Sequence, residues 1–109
     1  MYFEKHIFIC TNERHPESPK KSCGKAGIDV RLAFVHAIAK RGLKHKIRSN
    51  KSGCIDACNF GVSVVIYPDG IWYKGVTPED VDEIVSTSIV GNGVVKRLQL
   101  TQEEFIQRK

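Results

Sequence analysis

Cys10, Cys23, Cys54 and Cys58 are the four cysteines of this chain, and they fall into two pairs. The second pair encloses Ile55-Asp56-Ala57, and the first brackets a polar loop. Paired thiolates suit a two-iron, two-sulfide cluster with two sulfurs per iron, a structural zinc site, or thiol–disulfide redox. Zinc sites usually place about two to four residues between paired sulfurs. Cys54 and Cys58 meet that spacing, and Cys10 and Cys23 do not. Thioredoxin-type redox needs a Cys-x-x-Cys pair, which is absent. Inert buried thiols are the plainest alternative, but the sequence around these cysteines reads as loop rather than core. Ser22, Gly24, Gly27, Gly53 and Gly61 are neighbours small enough for backbone amides to approach bound sulfides.

The elements that must position these sulfurs are legible from periodicity. Lys5 to Cys10 contains Ile7-Phe8-Ile9 and reads as a buried strand. Residues 11–27, with Pro16 and Pro19, read as a long loop. Val30, Ala33, Phe34, Ala37 and Ile38 form a helical stripe over residues 29–41, with Asp29 as its cap and Gly42 at its C-terminal end. Leu43 to Arg48 alternates, with Leu43, His45 and Ile47 on one face of a second strand. Val62 to Tyr67 reads as a third strand, Pro68-Asp69-Gly70 as a turn, and Ile71 to Lys74 as the returning strand. Thr77-Pro78-Glu79-Asp80 starts a helix that buries Val81, Ile84 and Val85. Beyond it come a turn at Gly91-Asn92-Gly93, an extended stretch from Val94 to Leu100, and a capping box, Thr101 to Glu104, for a short terminal helix. The order is β-α-β followed by β-β-α, the thioredoxin-like α/β fold with a short C-terminal extension. In a βαβ unit the end of the first strand lies close to the start of the helix, so Cys10 and Cys23 face one pole. The loop carrying Cys54 and Cys58 can return to it.

Here the chain resembles the thioredoxin-like 2Fe-2S ferredoxins over nearly its whole length. Cys10-Thr-Asn-Glu-Arg and Ser22-Cys23-Gly24 resemble the first cysteine pair of that family. Cys54-Ile-Asp-Ala-Cys58 with Gly61 resembles the second. Val65 to Tyr73, Val76 to Ile84 and Gly93 to Leu98 resemble its hairpin, last helix and tail. The resemblance implies that all four cysteines ligate one 2Fe-2S cluster, Cys10 with Cys23 on one iron and Cys54 with Cys58 on the other. It implies one-electron transfer between redox partner proteins, no substrate chemistry and no catalytic residue, and often a homodimer. The chain departs from the family at Val62, where a proline commonly follows the glycine, and in being basic where many members are acidic.

A length of 109 residues predicts one domain over 1–109. No apolar run approaches the roughly 20 residues of a membrane span, and the N-terminus lacks a signal layout, so a cytoplasmic protein with reduced thiols is expected. Residues 1–53 carry a net charge of +8 and residues 54–109 a net −3. The basic half reads first as a solvated face, with redox partner proteins that carry acidic docking surfaces as the second reading. The run from Lys40 to Lys51 lacks the aromatic residues of a single-strand nucleic-acid platform, so nucleic acid is not expected. Lys20, Lys21 and Lys25 flank Cys23 and would favour the more negative, reduced form of a cluster. His15 in the cysteine loop reads as solvated, His36 as facing out of its helix, and His6 has no nameable partner. Trp72 and Tyr73 read as core, with an exposed Trp72 as the mark of an interface. Two alternatives stay open: a zinc-stabilised non-redox interaction domain, and a 2Fe-2S subunit of a larger oxidoreductase complex.

Overall fold

The computed structural model describes residues 3–11, 24–52 and 61–107. Four strands form one sheet in the order β2-β1-β3-β4: β1 (Lys5–Cys10), β2 (Ile47–Ser52), β3 (Val64–Tyr67) and β4 (Ile71–Tyr73). β1 runs parallel to β2 and antiparallel to β3, and β3 pairs antiparallel with β4. This is the predicted β-α-β, β-β-α order. The parallel pair requires a crossover, which α1 (Gly24–Lys40) supplies.

In β1 the alternation of a pleated strand splits the side chains between two faces. Ile7 and Ile9 lie in the core, whereas Phe8 is only half-buried on the opposite face, so the strand is buried on one side and not on both. The core face receives Val30, Phe34, Ala37 and Ile38 of α1, as the helical stripe predicts. α1 begins five residues before Asp29, which is exposed and caps nothing. The stretch Gly24-Lys-Ala-Gly27 has no large apolar residue, so periodicity is silent there. α1 ends at Gly42, whose φ of +70° lets Gly42 N–H reach Ala39 O at 3.0 Å and Leu43 N–H reach Ile38 O at 3.0 Å. After that cap Leu43 does not start a strand. Its carbonyl accepts from Lys46 N–H and Ile47 N–H, both at 2.9 Å, which makes residues 43–46 a turn and leaves His45 exposed.

The second helical segment opens with a 3-10 turn (Pro78–Asp80), continues as α2 (Val81–Ile84) and widens to π geometry over Val85–Val90. Val81, Ile84 and Val85 are buried as expected. Between Val94 and Leu100 the chain makes a 3-10 turn (Lys96–Leu98) rather than one extended run, and Gln99 then bridges to Tyr73. Lys74 N–H donates to Leu98 O at 2.8 Å, and Leu100 N–H donates to Trp72 O at 2.8 Å. α3 (Gln102–Ile106) follows, with the predicted capping box between Thr101 and Glu104. It lies on the second face of the sheet, where Phe105 packs on a half-buried Trp72 with ring centroids 5.0 Å apart. Tyr73 is fully buried on the core face.

Candidate metal centre

Cys10 is the last residue of β1, its thiol makes no disulfide among the described residues, and it is 1% exposed. Cys23, Cys54 and Cys58 lie outside the described residues, as do His15, Lys20 and Lys21. The residues that flank the cysteine-bearing segments are described, and they meet around Cys10. Thr11 N–H donates to Ser52 O at 2.9 Å, and the Thr11 hydroxyl donates to the same carbonyl at 3.2 Å. The chain therefore leaves β1 and β2 side by side. On the other flank, Cys10 N–H donates to Ser63 O at 3.1 Å, which ties the entry to β3 to the same strand end.

The start of α1 closes a third side. A Cβ built on Gly27 would stand 1.9 Å from Cys10 O, so only glycine allows the helix to rest on this carbonyl. Gly61 enters from the β3 side with a φ of +79°, and a Cβ on it would lie 3.1 Å from Gly75 Cα. Val62, at the position where a proline is common in the family, is buried, and its carbonyl accepts from Val76 N–H at 3.1 Å. That bond fixes the local backbone without a proline ring. A cavity of about 340 Å³ opens beside this pole, walled by Ala26, Val30, Val62, Val76 and Pro78 among others.

Among the described residues no group of three or more His, Cys, Asp or Glu could hold a metal ion. His6 is half-buried in β1, 3.3 Å from Asn50 Nδ2, and stacks on Phe8; His36 is exposed. Neither lies at the Cys10 pole. The four-thiol donor set of the sequence, with a buried Cys10 under close backbone approach, fits a cysteine-ligated iron–sulfur cluster.

One polar site escapes the motif-based reading. Lys5 is 9% exposed, and its ammonium donates to Asp69 Oδ2 at 2.8 Å, Ser88 O at 2.9 Å and Asn92 Oδ1 at 2.7 Å. The signal was present, because the two-residue period through Ile9 and Ile7 points Lys5 inward. Nearby the Tyr73 hydroxyl pairs with Ser88 Oγ and accepts from Val95 N–H at 2.9 Å. This network ties β1, the β3–β4 turn and the end of the π turn at the start of β1, away from Cys10.

No family model matches the chain. It is similar to a 2Fe-2S ferredoxin of Aquifex aeolicus (strain VF5), with 41% identity over 100 residues covering 90% of each chain. A 2Fe-2S ferredoxin of Clostridium pasteurianum is 38% identical over 96 residues, covering 87% of this chain and 94% of that one. The crystal structure of the wild-type thioredoxin-like 2Fe-2S ferredoxin from Aquifex aeolicus matches with a TM-score of 0.85 at 39% identity, covering 92% of this chain and 99% of that one.

Proposed function

The chain belongs to the thioredoxin-like 2Fe-2S ferredoxins, and from that premise we propose that Cys10, Cys23, Cys54 and Cys58 hold one 2Fe-2S cluster, Cys10 with Cys23 on one iron and Cys54 with Cys58 on the other. The protein is an electron carrier rather than an enzyme. When bound, the cluster supplies one-electron redox chemistry, with no substrate bond made or broken. The observation that carries the ligand assignment is the meeting of Thr11, Ser52, Gly27 and Ser63 around Cys10, because these residues flank all the cysteine-bearing segments.

The chain's own residues have defined tasks in this reading. Burial of Cys10 keeps water from one ligand and lowers the local dielectric, which makes nearby dipoles count for more in setting the potential. Cys23 directly precedes α1, where the positive end of the helix favours thiolate. Gly27 holds that helix end against β1. Redox partner proteins exchange electrons with this pole, the working unit is a homodimer, and the expectation of reduced thiols supports a cytoplasmic location. Among the described residues no helix is long and apolar enough to cross a membrane.

The test is anaerobic purification with visible absorption and analysis of iron, acid-labile sulfide and zinc. Two irons and two sulfides per chain, bleached by dithionite, are expected. Serine in place of any one of the four cysteines should change the spectrum or lose iron. A colourless protein with about one zinc per chain would overturn the assignment.

A further inference from the structure

α1 turns an apolar stripe to solvent. Ile28, Leu32 and Val35 stand at i, i+4 and i+7, so they share one helix face, and they are 43%, 45% and 36% exposed. This face lies opposite the stripe of Val30, Phe34 and Ala37 that enters the core. An outward apolar row on a helix already anchored by its other side is not needed for folding.

A basic groove borders the stripe. Between α1 and β2 lies a cavity of about 340 Å³ whose walls include Phe3, Val35, Ile38 and Ile47, and whose charged lining is Arg31, Lys44 and Arg48. Among the described residues no carboxylate lines it. Arg31 Nε is buried without a hydrogen-bond partner among the described residues. None of Lys25, Arg31, Lys44 and Arg48 makes an ion pair among the described residues, although Lys46, Lys5, Lys74 and Arg97 all do. Asp29 is the one acidic residue on α1. A surface that combines apolar anchors with three cations and an unpartnered guanidinium nitrogen is complementary to an apolar segment framed by carboxylates.

We infer that the outward face of α1, together with the groove of Arg31, Lys44 and Arg48, docks an acidic amphipathic helix of the redox partner. This rests on the electron-carrier reading above. The position of the stripe supports it: Ile28 directly follows Gly27, which rests on Cys10, so a helix laid along the stripe ends over the cysteine pole. From residue 28 to residue 39 α1 rises about 16 Å, room for about three turns of a partner helix. A second copy of this chain is a poor occupant, because the same cations would face each other across the contact.

The probe is a fluorescein-labelled synthetic helix with leucines at i, i+4 and i+7 flanked by glutamates, titrated with cluster-loaded protein at low salt and followed by anisotropy. Saturable binding is expected. It should weaken at least about tenfold in the Leu32→Ser/Val35→Ser double variant, in Arg31→Gln/Arg48→Gln, and when lysines replace the peptide's glutamates. Equal binding by both double variants, or no binding at all, overturns the inference. So does sedimentation showing that Leu32→Ser/Val35→Ser dissolves a homodimer, which would assign the stripe to a second copy. Iron and sulfide are measured on the same samples. Full cluster content without peptide binding overturns the docking surface alone, whereas peptide binding by a protein that holds no iron overturns the carrier reading and the redox identity of the partner with it.

Discussion

Gly27 and Lys5 mark the two ends of β1, and each answers to a different physical demand. At Gly27 the demand is space. A methyl group there meets the Cys10 carbonyl at 1.9 Å, and backbone cannot yield as a flexible side chain can. Gly27→Ala should therefore destabilise the fold by at least about 2 kcal/mol, read by denaturant unfolding, and lower the iron retained per chain. At Lys5 the demand is satisfaction of a nearly buried charge. Lys5→Met strips Asp69 of its ion pair and leaves Ser88 O and Asn92 without their donor. The expected loss is about 2–4 kcal/mol in the same measurement, with the cluster spectrum unchanged because the network lies at the other end of the strand. Both residues also show what sequence can reveal. The four cysteines narrow the chemistry by type and number to a cluster or a metal site, and the inward phase of Lys5 follows from Ile7 and Ile9. The role of Gly27 does not follow from sequence, because a glycine required for close approach looks the same as one in a loop.

Among the elements, the best-read are those whose hydrophobic period is uninterrupted. The stripe of α1 and the row Val81, Ile84 and Val85 were legible because burial and period agree, and the Val62–Tyr67 run, legible by its continuous apolar character, forms its strand over Val64–Tyr67. The start of α1 and the start of β2 were not. Glycines hide the first turn of α1, and residues 43–46 alternate in sequence while their backbone closes a turn onto the Leu43 carbonyl. At the start of the second helical segment Thr77 N–H and the Thr77 hydroxyl each donate to Asp80 Oδ2 at 3.0 Å, and Arg97 reaches Asp80 Oδ1 at 2.9 Å and also Glu83. Burial works to raise the Asp80 pKa, yet the Thr77 backbone bond and the Arg97 guanidinium win and hold it below the ordinary 3.8. The depressed carboxylate stabilises the fold above its unfolded-state pKa, and that contribution disappears as pH falls through the lower folded-state value. Asp80→Asn should accordingly melt at a lower temperature than the parent at pH 7, with the gap narrowing below about pH 4, as followed by circular dichroism.

The whole molecule separates its charge along the chain, with a net +8 on residues 1–53, which carry Cys10 and Cys23. Lys20, Lys21 and Lys25 surround Cys23 in sequence, and replacing all three by Gln should move the cluster potential downward in protein-film voltammetry, since the reduced state loses its positive neighbours. An unmoved potential would mean that solvent already screens these ammonium groups. The same distribution governs how the sheet meets other molecules. β2 and β4 are its two outer strands, and an unpaired outer strand invites a neighbouring molecule's backbone to add itself on. Along β2 the guards are Arg48 and Lys51, charges that such an addition would have to bury. At β4 the guard is the chain itself, because Leu98 O and Leu100 N–H already occupy the backbone groups of Lys74 and Trp72. A protein shortened to residue 95 would expose that row, and light scattering on warming should show it aggregating where the full chain stays monodisperse. The stretch that follows the last core helix thus protects solubility, a task separate from the electron carriage proposed for the Cys10 end of β1.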